Sequence, residues 1–388
     1  METVAVIFGG RSAEHDVSII TALTSVIKPL ELTKKYHIIP VYIAKDGRWF
    51  TGKKLTDIRL YQGAGLQRFL AQTKPTGVVF DNGLKLLVPA RVGRKEIAVD
   101  VVFPAMHGTY GEDGALMGLL DMAGVAYVGC GVAASAVAMD KVLAKQLAAA
   151  NDIPVSKFMS FYKDDLMDNT AKIVKQITAK LAYPIFVKPA HLGSSIGITR
   201  VQNDTELTNA LEVAAHYDNL VIAEEAVQNL IEVTLPIMGL ASKPQPALLE
   251  KPLTAAEDFF DFDTKYLQGG KKGGGKKGAT NGSQGYSQIP ADLPKDIYSQ
   301  AEQVGLAVYK AFGCSGIARV DMLIDSKGGK VYFNEMNPLP GSLYAHNWAQ
   351  AGISKIALVE KLLEFARQRQ AERDRLATTF DTNFLKQF

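Results

Sequence analysis

The segment from Gly316 to Asn337 leaves the chain few options. GIARVDMLID and KVYFNEMN are strand-like runs joined by SKGG, a pattern that writes an antiparallel hairpin. A turn centred on Gly328 sets Asp321 opposite Glu335 and Arg319 opposite Asn337. Because side chains change face with every residue, these four share one side. Two carboxylates and an amide oxygen there make a hard-oxygen site suited to Mg²⁺, which usually keeps waters and nucleotide phosphates as its other ligands. Arg319 stands beside them as a fixed cation for developing negative charge. From spacing alone, the competing reading is a solvated hairpin face with an ion pair. The following Asn337-Pro338-Leu339-Pro340-Gly341 favours the functional one, since a stiff turn ending in glycine can aim a backbone N–H at a reacting oxygen.

The rest of the 388 residues divides by pattern. Val4 to Phe8 reads as a buried parallel strand that ends in Gly9 and Gly10 and leads to a helical pattern from Val17 to about Leu30. His37 to Ala44, Val101 to Pro104 and Val125 to Val128 are further strands, with a helix over Asp113 to Ala123. Residues 1–130 are therefore expected to form an open α/β domain with ligand groups at the strand ends. Alanine-rich Ala133 to Ala150 predicts one helix. Beyond Pro154, Ile185 to Pro189 is expected to pair with Ile196 to Val201, and Leu220 to Ala226 with Val233 to Gly239, an α+β unit over 131–240. The third unit, 241–388, holds a helix from Pro294 to Phe312, the hairpin, and a closing helix from Ile353 to about Gln370. Within it, Thr254 to Ile289 is too long for a routine connection and contains the low-complexity GGKKGGGKKGATNGSQG.

A net charge of +3 from 43 basic and 40 acidic residues requires no polyanionic partner, so nucleic-acid binding is not expected. No run of ~18 apolar residues is present to cross a bilayer, and METVAVIFGG lacks the basic flank of a signal peptide. A cytoplasmic location without membrane attachment is the expectation. Cys130 and Cys314, with no CxxC and no Cys/His cluster, read as reduced packing residues.

Three further groups of residues carry chemistry. Lys188 ends an apolar strand, and Gly193-Ser194-Ser195-Ile196-Gly197 follows as a loop whose N–H groups and hydroxyls can wrap phosphate, although an ordinary glycine-serine turn explains it equally. Glu224 and Glu225 end one strand and Glu232 opens the next. One carboxylate can accept from an adenine amine and another from ribose hydroxyls, while solvated edge charges are the simpler account. Lys265 and Tyr266 sit where an aromatic segment meets the glycine-lysine run, an arrangement suited to a lid that excludes water.

In order, FGGRSAEHDVS, HGTYGEDG, SAVAMDK, FVKPAHLGSSIG, EVTLPIMG, FFDFDTKY, ARVDMLID and NEMNPLPG strongly resemble D-alanine–D-alanine ligases of the ATP-grasp superfamily, over nearly the whole chain. The resemblance implies an α/β and α+β chain, with an ATP-grasp fold behind an N-terminal open α/β domain. It also implies two Mg²⁺ ions that Mn²⁺ can replace, D-alanine and ATP as small-molecule partners, a homodimer, and a role in peptidoglycan synthesis. It assigns Lys141, Lys188 and Ser194 to ATP phosphates, Glu224 with Glu225 and the backbone near Val227 to adenine, and Glu232 to ribose. Asp321, Glu335 and Asn337 match the metal ligands. Glu14 and Val17, with His107 nearby, match the first D-alanine site, and Glu14, Ser194 and Tyr266 match a group that ties the lid to it. Lys265 matches the lid lysine that faces phosphate and substrate carboxylate. Arg319 and the Gly341 N–H match the oxyanion donors.

Three departures stand out. Pro338 replaces the family's threonine, His346 falls where a serine binds the second substrate's carboxylate, and the 254–289 segment is long. D-Serine or D-lactate as the second substrate, and a non-catalytic nucleotide-binding protein, are the alternatives.

Overall fold

A computed structural model describes residues 1–81, 83–193, 195–253, 287–379 and 381–388. Its first sheet is built around Glu2–Gly9. Val4, Val6 and Phe8 point into one core and Ala5 and Ile7 into another, so this strand is central and covered on both faces. The order across the sheet is Trp49–Thr51, Tyr36–Ile43, Glu2–Gly9, Val101–Pro104 and Ala126–Tyr127, with only the edge strand Trp49–Thr51 antiparallel. A continuous helical run from His15 to Thr33, two residues earlier in its start than expected, covers one face. The helix Lys355–Asp374 shares that face, so the last helix of the chain folds back onto the first sheet. There Arg369 stacks over Tyr127 at 4.0 Å and donates to the Gly129 and Tyr127 carbonyls. A small antiparallel sheet of Gly77–Phe80, Leu84–Pro89 and Arg94–Val99 lies outside the strands expected from the sequence.

The central sheet runs Thr199–Val201, Ile185–Pro189, Leu220–Glu225, Phe158–Tyr162, antiparallel throughout, and packs its apolar face on the helices Lys163–Thr178 and Asp204–Tyr217. The carboxy-terminal sheet runs Lys243–Pro246, Leu230–Leu240, Ser315–Asp325, Lys330–Asn337, backed by the helix Lys295–Ala311.

Two expectations are corrected. Leu220–Glu225 does not pair with Leu230–Leu240. The latter runs antiparallel to Ser315–Asp325 along all 11 of its residues, a longer ladder than a 6-residue partner can offer, and it buries Val233, Leu235 and Ile237. The chain thus crosses into the carboxy-terminal sheet between Glu225 and Leu230. The helix expected over Ala133 to Ala150 is two, Val132–Met139 and Lys141–Ala150. Asp140 interrupts it because its extended backbone lets the carboxylate accept from the N–H groups of Val142 and Leu143. Cys130 and Cys314 are both free and buried in one core. No helix among the described residues is long and apolar enough to cross a membrane.

Candidate active site

The hairpin places Arg319 opposite Asn337 and Asp321 opposite Glu335, the register expected. Its turn is centred earlier than Gly328, since Asp325 pairs with Lys330 and caps the N–H groups of Lys327 and Gly328, while Gly329 closes the loop at φ +63°. An extra residue, Asn334, between the Met322–Phe333 and Asp321–Glu335 pairs makes up the difference. Val331 and Phe333 lie in the core before this bulge and Met336 after it. An unbulged strand would put Glu335 on the Phe333 face; the bulge turns Glu335 and Asn337 to the open side. Thr234 and Glu232 of the neighbouring strand, opposite Asp321 and Leu323, share that side.

Arg319 is held by Asp321 through two bonds, Nε to Oδ1 at 2.7 Å and Nη2 to Oδ2 at 2.6 Å, with the Tyr344 ring 5.3 Å away. Burial works against the guanidinium charge, but Asp321, together with Tyr344 and Glu335, holds it above its ordinary range. Each Asp321 oxygen has a second lone pair, and the Leu339 N–H fixes the Asn337 Oδ1 at 3.0 Å. The donor set is all oxygen and twice anionic, which fits Mg²⁺. Among the described residues no three His, Cys, Asp or Glu converge on a metal position.

On the central sheet, Phe186 lies opposite Glu224 and Lys188 diagonal to it. Lys188 Nζ is 3.2 Å and Lys145 Nζ 3.4 Å from Glu224 Oε2. Burial pushes the Glu224 carboxyl up, but the two ammonium groups hold it below the ordinary carboxylate range; burial pulls Lys145 down. Lys145 was passed over in the sequence, although its spacing of four from Lys141 puts both lysines on one helix face. Lys141 Nζ donates to the Leu192 carbonyl at 2.6 Å and lies 3.8 Å from Glu335 Oε2, joining the phosphate-loop segment to the hairpin. His191, also passed over, sits between Asp140 at 3.3 Å and Asp218 at 3.0 Å, which push its pKa up to about 10. The loop after Lys188 is thereby pinned at its root.

Other expected residues separate. Glu225 points away from Glu224, as strand alternation requires; it accepts from the Ala182 N–H at 2.9 Å and pairs with Lys157 at 3.4 Å, so its carboxylate is not part of the cleft. Val227 lies in the connection between Leu220–Glu225 and Leu230–Leu240. Ser194, Lys265 and Tyr266 lie outside the described residues.

The amino-terminal domain supplies the remaining wall. A β-carbon added to Gly108 would meet Glu14 Oε2 at 3.0 Å, and one added to Gly193 would meet Glu14 Oε1 at 3.5 Å, so Glu14 lies between the HGTYGEDG loop and the loop that follows Lys188. Thr21 Oγ1 accepts from the Ser342 N–H at 3.1 Å and bonds His107 Nε2 at 2.9 Å, while Val17 is the side chain nearest Gly341. Glu14, Val17, His107 and Gly341 are thus gathered from three distant stretches of chain. Ser342, Leu343 and Tyr344 all adopt left-handed backbone, at φ 53°, 55° and 49°, and the turn carries Tyr344 onto Arg319. His346 Nε2 is 2.9 Å from Glu250 Oε2, and Asn347 donates to the same oxygen at 3.1 Å. The nitrogen of His346 that faces Glu250 is therefore already engaged.

A basic wall and an oxygen-rich wall on two α+β units, joined through Lys141 and Glu335, define an ATP-grasp ligase. Residues 3–130 match the family model of the D-ala D-ala ligase N-terminus and 147–364 that of its C-terminus, and the chain belongs to the D-alanine–D-alanine ligase family. A D-alanine–D-alanine ligase of Acetivibrio thermocellus is 36% identical, over 94% of this chain and 96% of that protein. The D-alanine–D-alanine ligase structure from Coxiella burnetii superposes with a TM-score of 0.77 at 27% identity, covering 96% of both chains. A D-Ala:D-Ser ligase from Enterococcus faecalis does so at 0.74 and 31%, covering 94% of this chain and 99% of that one.

Proposed function

We propose that the chain joins two D-alanines to D-alanyl-D-alanine with conversion of ATP to ADP and phosphate, through an acyl phosphate. The observation that carries this reading is the shared face of Arg319, Asp321, Glu335 and Asn337. Glu14 receives the ammonium of the first D-alanine, whose carboxylate attacks the γ-phosphate. Lys141 and Lys188 offset the charge of that transfer and hold the phosphates in line. Asp321, Glu335 and Asn337 would hold two Mg²⁺ ions, which would neutralise developing charge on the transferred phosphoryl group. The free amine of the second D-alanine then attacks the acyl carbon, and Arg319 with the Gly341 N–H stabilises the oxyanion. Collapse of that adduct expels phosphate. Glu232 takes the ribose hydroxyls and the backbone at Val227 the adenine edge; His107 orients the first substrate, and His346 stands at the second substrate's carboxylate. Lys265 and Tyr266, with Ser194, close the site over the reactants.

Phosphate release that depends on D-alanine and yields a product of the mass of D-alanyl-D-alanine is the expected result. A product formed only when D-lactate or D-serine is added would overturn it. The reading carries with it a cytoplasmic homodimer, checked by light scattering on the purified protein.

A further inference from the structure

Among the described lysines of this region, Lys145 alone has no path to solvent: its residue exposure is 0%, yet no step above uses it. Its ammonium reaches Glu224 Oε2 at 3.4 Å and Ser156 Oγ at 3.3 Å, and Ser156 lies 3.5 Å from that same carboxylate oxygen. With Lys188 at 3.2 Å, three donors crowd Oε2. The other oxygen, Oε1, is buried and has no hydrogen-bond partner among the described residues. A buried carboxylate oxygen left this way accepts only, and an unmade bond there is costly.

Building on the assignment of Glu224 to adenine, we propose that Lys145 is a positioning residue for nucleotide selection: it anchors Oε2 from inside the fold so that Oε1 stays fixed as the acceptor for the 6-amino group of the base. Lys188 cannot serve this purpose throughout the cycle. It lies at the mouth of the cluster, with 11% of its side chain exposed against 1% for Lys145, and the phosphates of bound ATP draw it away. Lys145, enclosed by Glu224 and Ser156, keeps the carboxylate oriented when Lys188 has turned to the nucleotide. Removing it frees the carboxylate to rotate toward Lys188 and blurs the preference for a donor at purine position 6.

The test compares ATP with purine riboside 5′-triphosphate, which lacks the 6-amino group, in the full-length protein. Wild type is expected to prefer ATP in kcat/KM by roughly ten- to hundredfold, the worth of one buried hydrogen bond to a charged acceptor. Lys145→Met is expected to raise KM for ATP and shrink that preference to within about threefold, with kcat and KM for D-alanine little changed. A merely structural lysine would lower the melting temperature and leave the preference intact, and that result would overturn the proposal. Absence of any preference in wild type would instead sink the adenine assignment of Glu224 and the proposal with it. Should Lys145→Met fail to fold, Lys145→Met added to Glu224→Gln removes both buried charges together, a change proteins tolerate better. Lys145 acting through Glu224 then adds nothing to the loss shown by Glu224→Gln alone; a further fall in preference would count against it.

Discussion

On the central sheet, Glu224 is buried to 3% side-chain exposure and two lysines meet it, whereas on the hairpin Glu335 keeps 40% of its side chain exposed and Asp321, paired with Arg319, keeps 16%. The first wall carries its counter-charges before any ligand arrives, because a carboxylate that deep is tolerated only with cations already in place. On the reading proposed above, the second is finished by what binds to it, so one side of the cleft is pre-set for the base and phosphates and the other for the cation that arrives with them.

The contrast can be broken most severely at Arg319. Arg319→Ala should lower kcat by a factor on the order of 10²–10³ with ATP affinity nearly unchanged, read by steady-state kinetics and calorimetry. Lys188→Met strikes the pre-set wall instead. It should raise KM for ATP by roughly tenfold or more, the loss of one charge-assisted contact, and an effect confined to kcat would show that the two walls do not divide the work in this way.

The smallest effect belongs to His191. Its folded-state pKa of about 10 lies above that of a free imidazole, so its pairing with Asp140 and Asp218 contributes fully below about pH 6.5 and fades as pH climbs toward 10. The melting temperature of His191→Gln should fall short of wild type at pH 6 and converge with it by about pH 10, while a constant gap would exclude a charged pin.

The hairpin face was legible because strand alternation and one turn decide it. Even the bulge left a trace, in the apolar residues Val331, Phe333 and Met336, whose spacing slips from two to three. The partner of Leu230–Leu240 was not legible, since an apolar strand of that length suits either sheet and only long-range pairing chooses. Asp140 looked like part of one helix because alanine on both sides hid a capping aspartate. Ser342 to Tyr344 gave no warning of left-handed backbone, as no glycine or asparagine marks it. Glu225 was grouped with Glu224 by adjacency, although neighbours on a strand face opposite ways.

The fold-back of Lys355–Asp374 onto the first sheet has a consequence for synthesis. Leu358, Val359, Leu362 and Leu363 complete a core whose other half, Val4, Val6 and Phe8, lies far earlier in the sequence, and Arg367 ties Glu2 to the same helix. Translation thus delivers a sheet with one bare apolar flank that waits until residues 355–374 have emerged. A ribosome stalled before residue 355 would carry a nascent chain rich in uncovered hydrophobic surface, the kind of client that chaperones retain.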